Sequence, residues 1–445
     1  MRTLECSYEP HIFRQAIKWA NAKGRPLFIV VLATKPCYIK LASLVFALTK
    51  KDLPFLLIDT GQHYEFALTS AKQELGYEQL IGVHLDIRGD LIGRTADLAT
   101  KLQWLAAELQ SLGLRELPVP IVSGDTSTAA FLPPFWYLLT GCRSVHVEAG
   151  LRSLGPEITW EWRGIEHFLS QRDAHWRRFR DDPFPESFDT TLASVASDLL
   201  LAPVQRNADS LIREGYDPDK IHIVGSLSAD AVNLALSSTG RNPAHAQPLP
   251  SSKYIRVDIH RRENMIAARL EAILKGVVRF SDIGVKVILV LTNALRSALA
   301  EHGMVNLLQE AERDHDVLIQ ELLPSYLDVI EFMRSPNCVA IFTDSGGLQE
   351  EASVLSVPCI TCRYSTDRPE TILDHPSNVL LPPENEDLIE HGLEQIISSN
   401  PQEIWPGLQA QHPYGERVGE RISEHLNDYV PPRPARGAQY VFGLM

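Results

Sequence analysis

The chain has 445 residues, 44% of them hydrophobic, and its 42 Lys and Arg against 56 Asp and Glu give a formal net charge of -14. That length exceeds what one hydrophobic core serves and predicts two domains, while the acidity excludes a general affinity for nucleic acid or for an anionic membrane surface. Six cysteines without regular spacing predict free thiols in a reducing compartment, the cytoplasm.

The first eleven residues, Met1 to His11, are polar and acidic rather than a signal peptide, and no apolar run reaches the roughly 18 residues of a membrane span. Short apolar runs then alternate with helical patterns. They are Leu27 to Leu32, Phe55 to Ile58, Ile121 to Val122, Val145 to Val147, Ile255 to Ile259, Val287 to Leu291, Val339 to Phe342 and Val357 to Cys362. This alternation predicts an α/β fold of parallel sheets wrapped by helical crossovers. After the first run, Leu41, Leu44, Val45 and Leu48 recur at i, i+3, i+4 and i+7, the packing face of a helix. Cys359 and Cys362 form a C-x-x-C, but they lie in an apolar stretch after a helix instead of opening one, so a core strand is expected and not a redox or zinc pair. A composition break at Pro203 to Asn207 marks the expected hinge, Ser237 to Lys253 reads as a surface loop, and the proline-rich tail from Pro431 to Met445 reads as an appendage.

Ligands of open parallel sheets bind beyond the carboxyl ends of the strands, so chemistry-bearing residues should follow the apolar runs. Thr343 to Ala352 reads as strand, glycine turn and helix start. Ser345, Gly346 and Gly347 there offer free N–H groups to an anion, and Glu351 one turn on could accept from a ribose diol. Lys35 and Lys40 follow the first strand where a phosphate contact is natural, although helical lysines are usually solvated. Arg363 and Arg368 form a further cationic pair. Asp125, Glu148 and Glu186 each lie on a glycine- or proline-punctuated turn; carboxylates converging in a cleft supply an acid and a base, though each alone could be a cap or an ion-pair partner. His260, followed by Arg261 and Arg262, ends an apolar strand and suits leaving-group phosphate or proton traffic.

In order, these runs resemble the UDP-N-acetylglucosamine 2-epimerase family from about Leu27 to Ile422. The matching stretches are Thr34-Lys35-Pro36 with Ile39-Lys40, Thr60 to Glu65, Gly124-Asp125-Thr126, His146 to Arg152, Pro185-Glu186, His260 to Asn264, Thr343 to Glu351, Arg368-Pro369-Glu370 and Pro413-Tyr414-Gly415. The resemblance implies two Rossmann-like domains of the GT-B type facing a central cleft, a homodimer, a UDP-linked N-acetyl sugar as ligand, and neither metal nor nicotinamide cofactor. It implies that Lys40, Ser345, Gly347, Glu351 and Arg368 hold UDP, that Asp125, Glu148, Glu186 and His260 are catalytic, and that Gln62 and His63 belong to a second, activating site. The domains expected on this footing are 1–205, 206–425 with a last helix packing back on the first domain, and a tail over 426–445.

The sequence also departs from the family. Lys35 stands where Arg is usual, Cys37 where Glu is, and Thr190 where an Arg follows the Pro-Glu pair; Val329 replaces an aromatic, and Asn293 replaces a second-site histidine. A stretch of about 153–184, with Trp160, Trp162, Trp176 and Arg177, Arg178 and Arg180, is an insertion expected within the first domain as a lid, an interface or a surface elaboration. The expected reaction is interconversion of UDP-N-acetylglucosamine and UDP-N-acetylmannosamine through elimination of UDP and readdition. A hydrolysing 2-epimerase, a GT-B glycosyltransferase and a non-catalytic sugar-nucleotide binder remain as alternatives.

Overall fold

Strands buried on both faces read as continuous apolar runs, and Leu27–Leu32, with every residue at 2% exposure or less, is such a strand. The computed structural model describes residues 6–61, 71–237, 250–323 and 325–443. The chain forms two compact α/β units, Rossmann-like and of the GT-B type. One comprises 1–151, 185–231 and 415–445, the other 152–184 and 232–414.

The first unit is built on an eight-stranded sheet. In spatial order its strands are Ser7–Tyr8, Ile81–His84, Phe55–Asp59, Leu27–Leu32, Pro118–Ser123, Ser144–Val147, Ser197–Ala202 and Ile221–Ile223. Only the edge strand Ser7–Tyr8 is antiparallel. The chain order reverses between Leu27–Leu32 and Pro118–Ser123, so the loops after those strands flank the opening where such sheets take ligands. Helix Lys35–Lys50 covers the sheet with Leu41, Leu44, Val45 and Leu48, all fully buried.

The expected hinge at 203–207 lies inside this unit. Val204 and Asn207 are buried there, and Ile221–Ile223 goes on to pair with Ser197–Ala202 before the chain leaves at 231. Helix Val418–Asp428 also belongs here: its first two N–H groups donate to the Asp230 carboxylate, and a Cβ on Gly419 would lie 2.7 Å from the backbone of Ser43. Nor is the tail a loose appendage. Phe442 is buried, and the N–H groups of Tyr440 and Gly443 donate to the carbonyls of Leu139 and Arg115.

The second unit carries six parallel strands in the order Val317–Glu321, Lys286–Leu291, Tyr254–Asp258, Cys338–Thr343, Cys359–Thr361 and Asn378–Leu380, reversing between Tyr254–Asp258 and Cys338–Thr343. The insertion expected in the first domain packs here instead. Its strands Leu154–Pro156 and Trp176–Arg178 pair with each other, and Leu154 exchanges both backbone hydrogen bonds with Thr366. Phe168 joins the core with Trp160 and Trp162 against it. The buried Gln171 amide accepts from the Leu380 N–H at 2.8 Å and donates to its carbonyl. The aromatic side chains of this segment and its buried amide find their partners in the core and edge strand of this sheet, and that assigns it to the second unit.

Candidate functional site

In the first unit, residues from the strand ends gather on both sides of the reversal point. Thr34 begins helix Lys35–Lys50, which places the part-buried Lys35 at its first position. On the other side, Thr126, and not Asp125, caps helix Ser127–Thr140 by accepting the Ala129 N–H at 3.2 Å. Glu148 follows strand Ser144–Val147 with φ +64°, a left-handed conformation that a non-glycine residue adopts only when its surroundings impose it. It is 3% exposed, and Lys40 Nζ lies 2.6 Å from its Oε1. Lys40, expected at phosphate, thus donates to a candidate catalytic carboxylate. Gly124 leaves room for that carboxylate, since a Cβ there would stand 3.0 Å from Glu148 Oε2.

His146, fully buried, links two of these segments: Nε2 lies 3.2 Å from the Gly124 carbonyl oxygen and Nδ1 lies 2.9 Å from Ser194 Oγ. A carbonyl can only accept, so Nε2 carries a proton, and the ring joins the Asp125 turn to helix Glu186–Val195. Glu186 opens that helix, and three residues on is Asp189, 1% exposed, whose Oδ2 accepts from Ser127 Oγ at 2.7 Å. Burial, with Asp125 and Glu186 nearby, pushes the Asp189 carboxyl up to about 7 against the Ser127 hydrogen bond. Sequence reasoning missed Asp189, whose place in the first turn of a helix is the ordinary pattern of an exposed acid.

In the second unit, His260 and Ser345 flank the corresponding reversal. Asp344, fully buried, accepts from the N–H groups of His260 and Arg261 and from Asn264 Nδ2 at 2.9 to 3.0 Å, and so shapes the loop after Tyr254–Asp258. Burial opposes protonation of His260, but the hydrogen bond to Asp258 and the charges of Asp344 and Asp258 outweigh it and raise its pKa. Asp344 was another residue the sequence left without a role.

Ser345 caps helix Gly346–Val354 by accepting the Leu348 N–H. The two glycines differ in what they meet. A Cβ on Gly346 would lie 2.6 Å from Asp367 Oδ2, whereas one on Gly347 would meet nothing nearer than Ser345 Oγ at 3.8 Å. Packing therefore accounts for the first glycine and leaves the second as open space over the helix N-terminus. Glu351 accepts from the Tyr326 hydroxyl at 3.1 Å. Arg368, 3% exposed, donates to Glu350 at 2.5 Å and to Asp367 at 2.7 Å, and Asp367 also pairs with Arg363 at 2.7 Å. Glu370, accepting from the Tyr414 hydroxyl at 2.8 Å, is pushed up to about 7 by burial.

Gln62 and His63 lie outside the described residues. Asn293 opens helix Asn293–Glu301, which Thr292 caps. Cys359 lies on its strand and Cys362 follows it, both as buried free thiols. Among the described residues no group of three or more His, Cys, Asp or Glu could hold a metal, and no helix is long and apolar enough to cross a membrane.

Residues 177–427 match the family model described as UDP-N-acetylglucosamine 2-epimerase. A Methanococcus maripaludis protein named UDP-N-acetylglucosamine 2-epimerase is 29% identical over 388 residues, covering 83% of this chain and 92% of its own length. A Bacillus subtilis protein of the same name is 27% identical, with coverage of 89% and 94%. The crystal structure of the Methanocaldococcus jannaschii UDP-GlcNAc 2-epimerase in complex with UDP-GlcNAc and UDP superposes with a TM-score of 0.72 at 26% identity, over 91% of this chain and 100% of that one.

Proposed function

The chain belongs to the UDP-N-acetylglucosamine 2-epimerase family, and from that membership we propose that it interconverts UDP-N-acetylglucosamine and UDP-N-acetylmannosamine without a cofactor. In this reading UDP binds at the N-terminus of helix Gly346–Val354, where backbone N–H groups and the helix dipole meet a diphosphate over Gly347. Glu351 takes the ribose, Arg368 on the same unit belongs to that ligand's surroundings, and His260, also on this unit, serves the catalysis.

A carboxylate of the set Asp125, Glu148 and Glu186 removes the C2 proton while the C1–O bond to UDP breaks, which leaves a 2-acetamidoglucal. A proton returns to C2 from the opposite face as UDP adds back at C1. Loss of the anionic leaving group lowers the demand on the base, and cations stabilise the departing diphosphate. The observation that carries this reading is the placement of Asp125 and Glu148 after neighbouring strands, with Glu186 opening the helix that His146 joins to the Asp125 turn, and Glu148 in strained backbone against Lys40. Transfer of a glycosyl group to an acceptor has no use for several carboxylates around C1 and C2.

Incubation with UDP-N-acetylglucosamine in deuterated water tests it. The expected result is formation of the manno epimer with solvent deuterium at C2. Epimerisation without deuterium uptake would refute the elimination, and free N-acetylmannosamine as sole sugar product would replace the reading with the hydrolytic one.

A further inference from the structure

Asp189 is a buried acid on the inner face of helix Glu186–Val195, and the reaction as described makes no use of it. The groups that face it are the Ser127 hydroxyl, Asp125 on the turn ahead of helix Ser127–Thr140, and Glu186 one turn back on its own helix. No ion pair to a cation is formed by Asp189 among the described residues. A carboxylate taken out of water beside two other acids is costly to ionise, and the cheapest state keeps a proton on the most buried member. Its hydrogen bond also spans two elements, because Ser127 is the first residue of the helix that follows Asp125.

Resting on the epimerase reading above, we propose that Asp189 is a positioning residue of this reaction: through Ser127 it ties the Asp125 turn to the Glu186 helix, and its carboxyl holds a proton among these acids in the form that binds substrate. With Oδ2 accepting from Ser127, the proton resides on Oδ1. When it leaves, a buried negative charge is added beside Asp125 and Glu186, which disfavours an anionic substrate, so binding weakens more than turnover. The rise of this carboxyl to about 7 places the change near neutral pH.

The test is a pH profile of the wild type, Asp189→Asn and Ser127→Ala. For the wild type, kcat/KM is expected to fall about fivefold between pH 7 and pH 8, mainly through KM, as one ionisation requires. Asp189→Asn keeps a neutral acceptor for Ser127, so it should retain activity within about threefold at pH 7 and lose this limb. Ser127→Ala removes a hydrogen bond that favours the ionised form and should move the limb to higher pH. The same limb in Asp189→Asn as in the wild type overturns the proposal.

Carboxyl 13C spectra of aspartate-labelled protein separate this result from the assignment of the reaction. One signal titrating near pH 7, absent from Asp189→Asn, is expected. Epimerase activity without that signal overturns the role of Asp189. The signal without epimerase activity overturns the reaction assigned and the positioning role with it.

Discussion

Glu148 holds a backbone conformation that costs a non-glycine residue on the order of 1 to 3 kcal/mol, and Lys40 meets its carboxylate in a pair almost closed to solvent. Strain and a buried charge at one residue are tolerated where position matters more than stability. Asp125→Asn, Glu148→Gln and Glu186→Gln are each expected to lower kcat about a hundredfold or more with UDP binding retained, since acid or base catalysis contributes roughly 100 to 10,000-fold. Glu351→Gln should weaken UDP binding instead. Steady-state rates with calorimetric UDP titrations check both, and near-normal rates in all three carboxylate variants would reduce those residues to structural acids. These three were visible as candidates in the sequence because a glycine or proline punctuates the turn that carries each. Asp189 was not, because an acid one turn into an amphipathic helix has the pattern of a solvated face, and only the fold turns that position inward. Asp344 was hidden for a related reason: its three donors come from a loop some eighty residues earlier in the chain.

Helix Gly346–Val354 begins with adjacent glycines in unequal surroundings, and the difference can be measured. Gly346→Ala would push a Cβ against an Asp367 carboxylate that Arg363 and Arg368 hold in place, so destabilisation of about 1 to 3 kcal/mol is expected from overpacking. Gly347→Ala meets open space and should leave the melting temperature close to the wild type, while its methyl group occupies the approach of the diphosphate and lowers UDP affinity about tenfold or more. Thermal unfolding and UDP titration of the two variants give opposite signatures if the helix N-terminus is the phosphate site. Equal effects of both on stability alone would remove it. At this scale the long central strands were plain in the sequence, Leu27–Leu32 to the residue, because burial on both faces demands unbroken apolar side chains. Ser197–Ala202 was not, since it follows Val195 without a glycine or proline between them and reads as more helix. Asn378–Leu380 is too short to show a period, and the destination of the insertion depended on the pairing of Leu154 with Thr366, which no local pattern announces.

Each copy of the molecule carries a formal charge of -14, so two copies repel and can associate only through a face whose apolar contact outweighs that repulsion. Such a face exists on the first unit. Helix Ser127–Thr140 presents Phe131, Phe135 and Leu138 along one stripe. Helix Glu186–Val195, packed beside it, presents Phe188, Leu192 and Val195. Leu138, Phe188 and Val195 are 74%, 55% and 57% exposed, and Phe131 lies within ring contact of both Phe135 and Phe188, so the two stripes make one surface. A contiguous apolar patch on an otherwise acidic chain marks an interaction site. A two-fold dimer satisfies it with the same patch on both partners. We therefore expect a homodimer at micromolar concentration. Added salt screens the repulsion between the two acidic copies over about 10 Å at 0.1 M, so the dimer should tighten as ionic strength rises. Phe188→Asp puts a charge in the middle of the patch and should give a monomer of unchanged circular dichroism. Sedimentation velocity at low and high salt reads both effects, and a wild type that stays monomeric at tens of micromolar in either condition would assign this face to another partner.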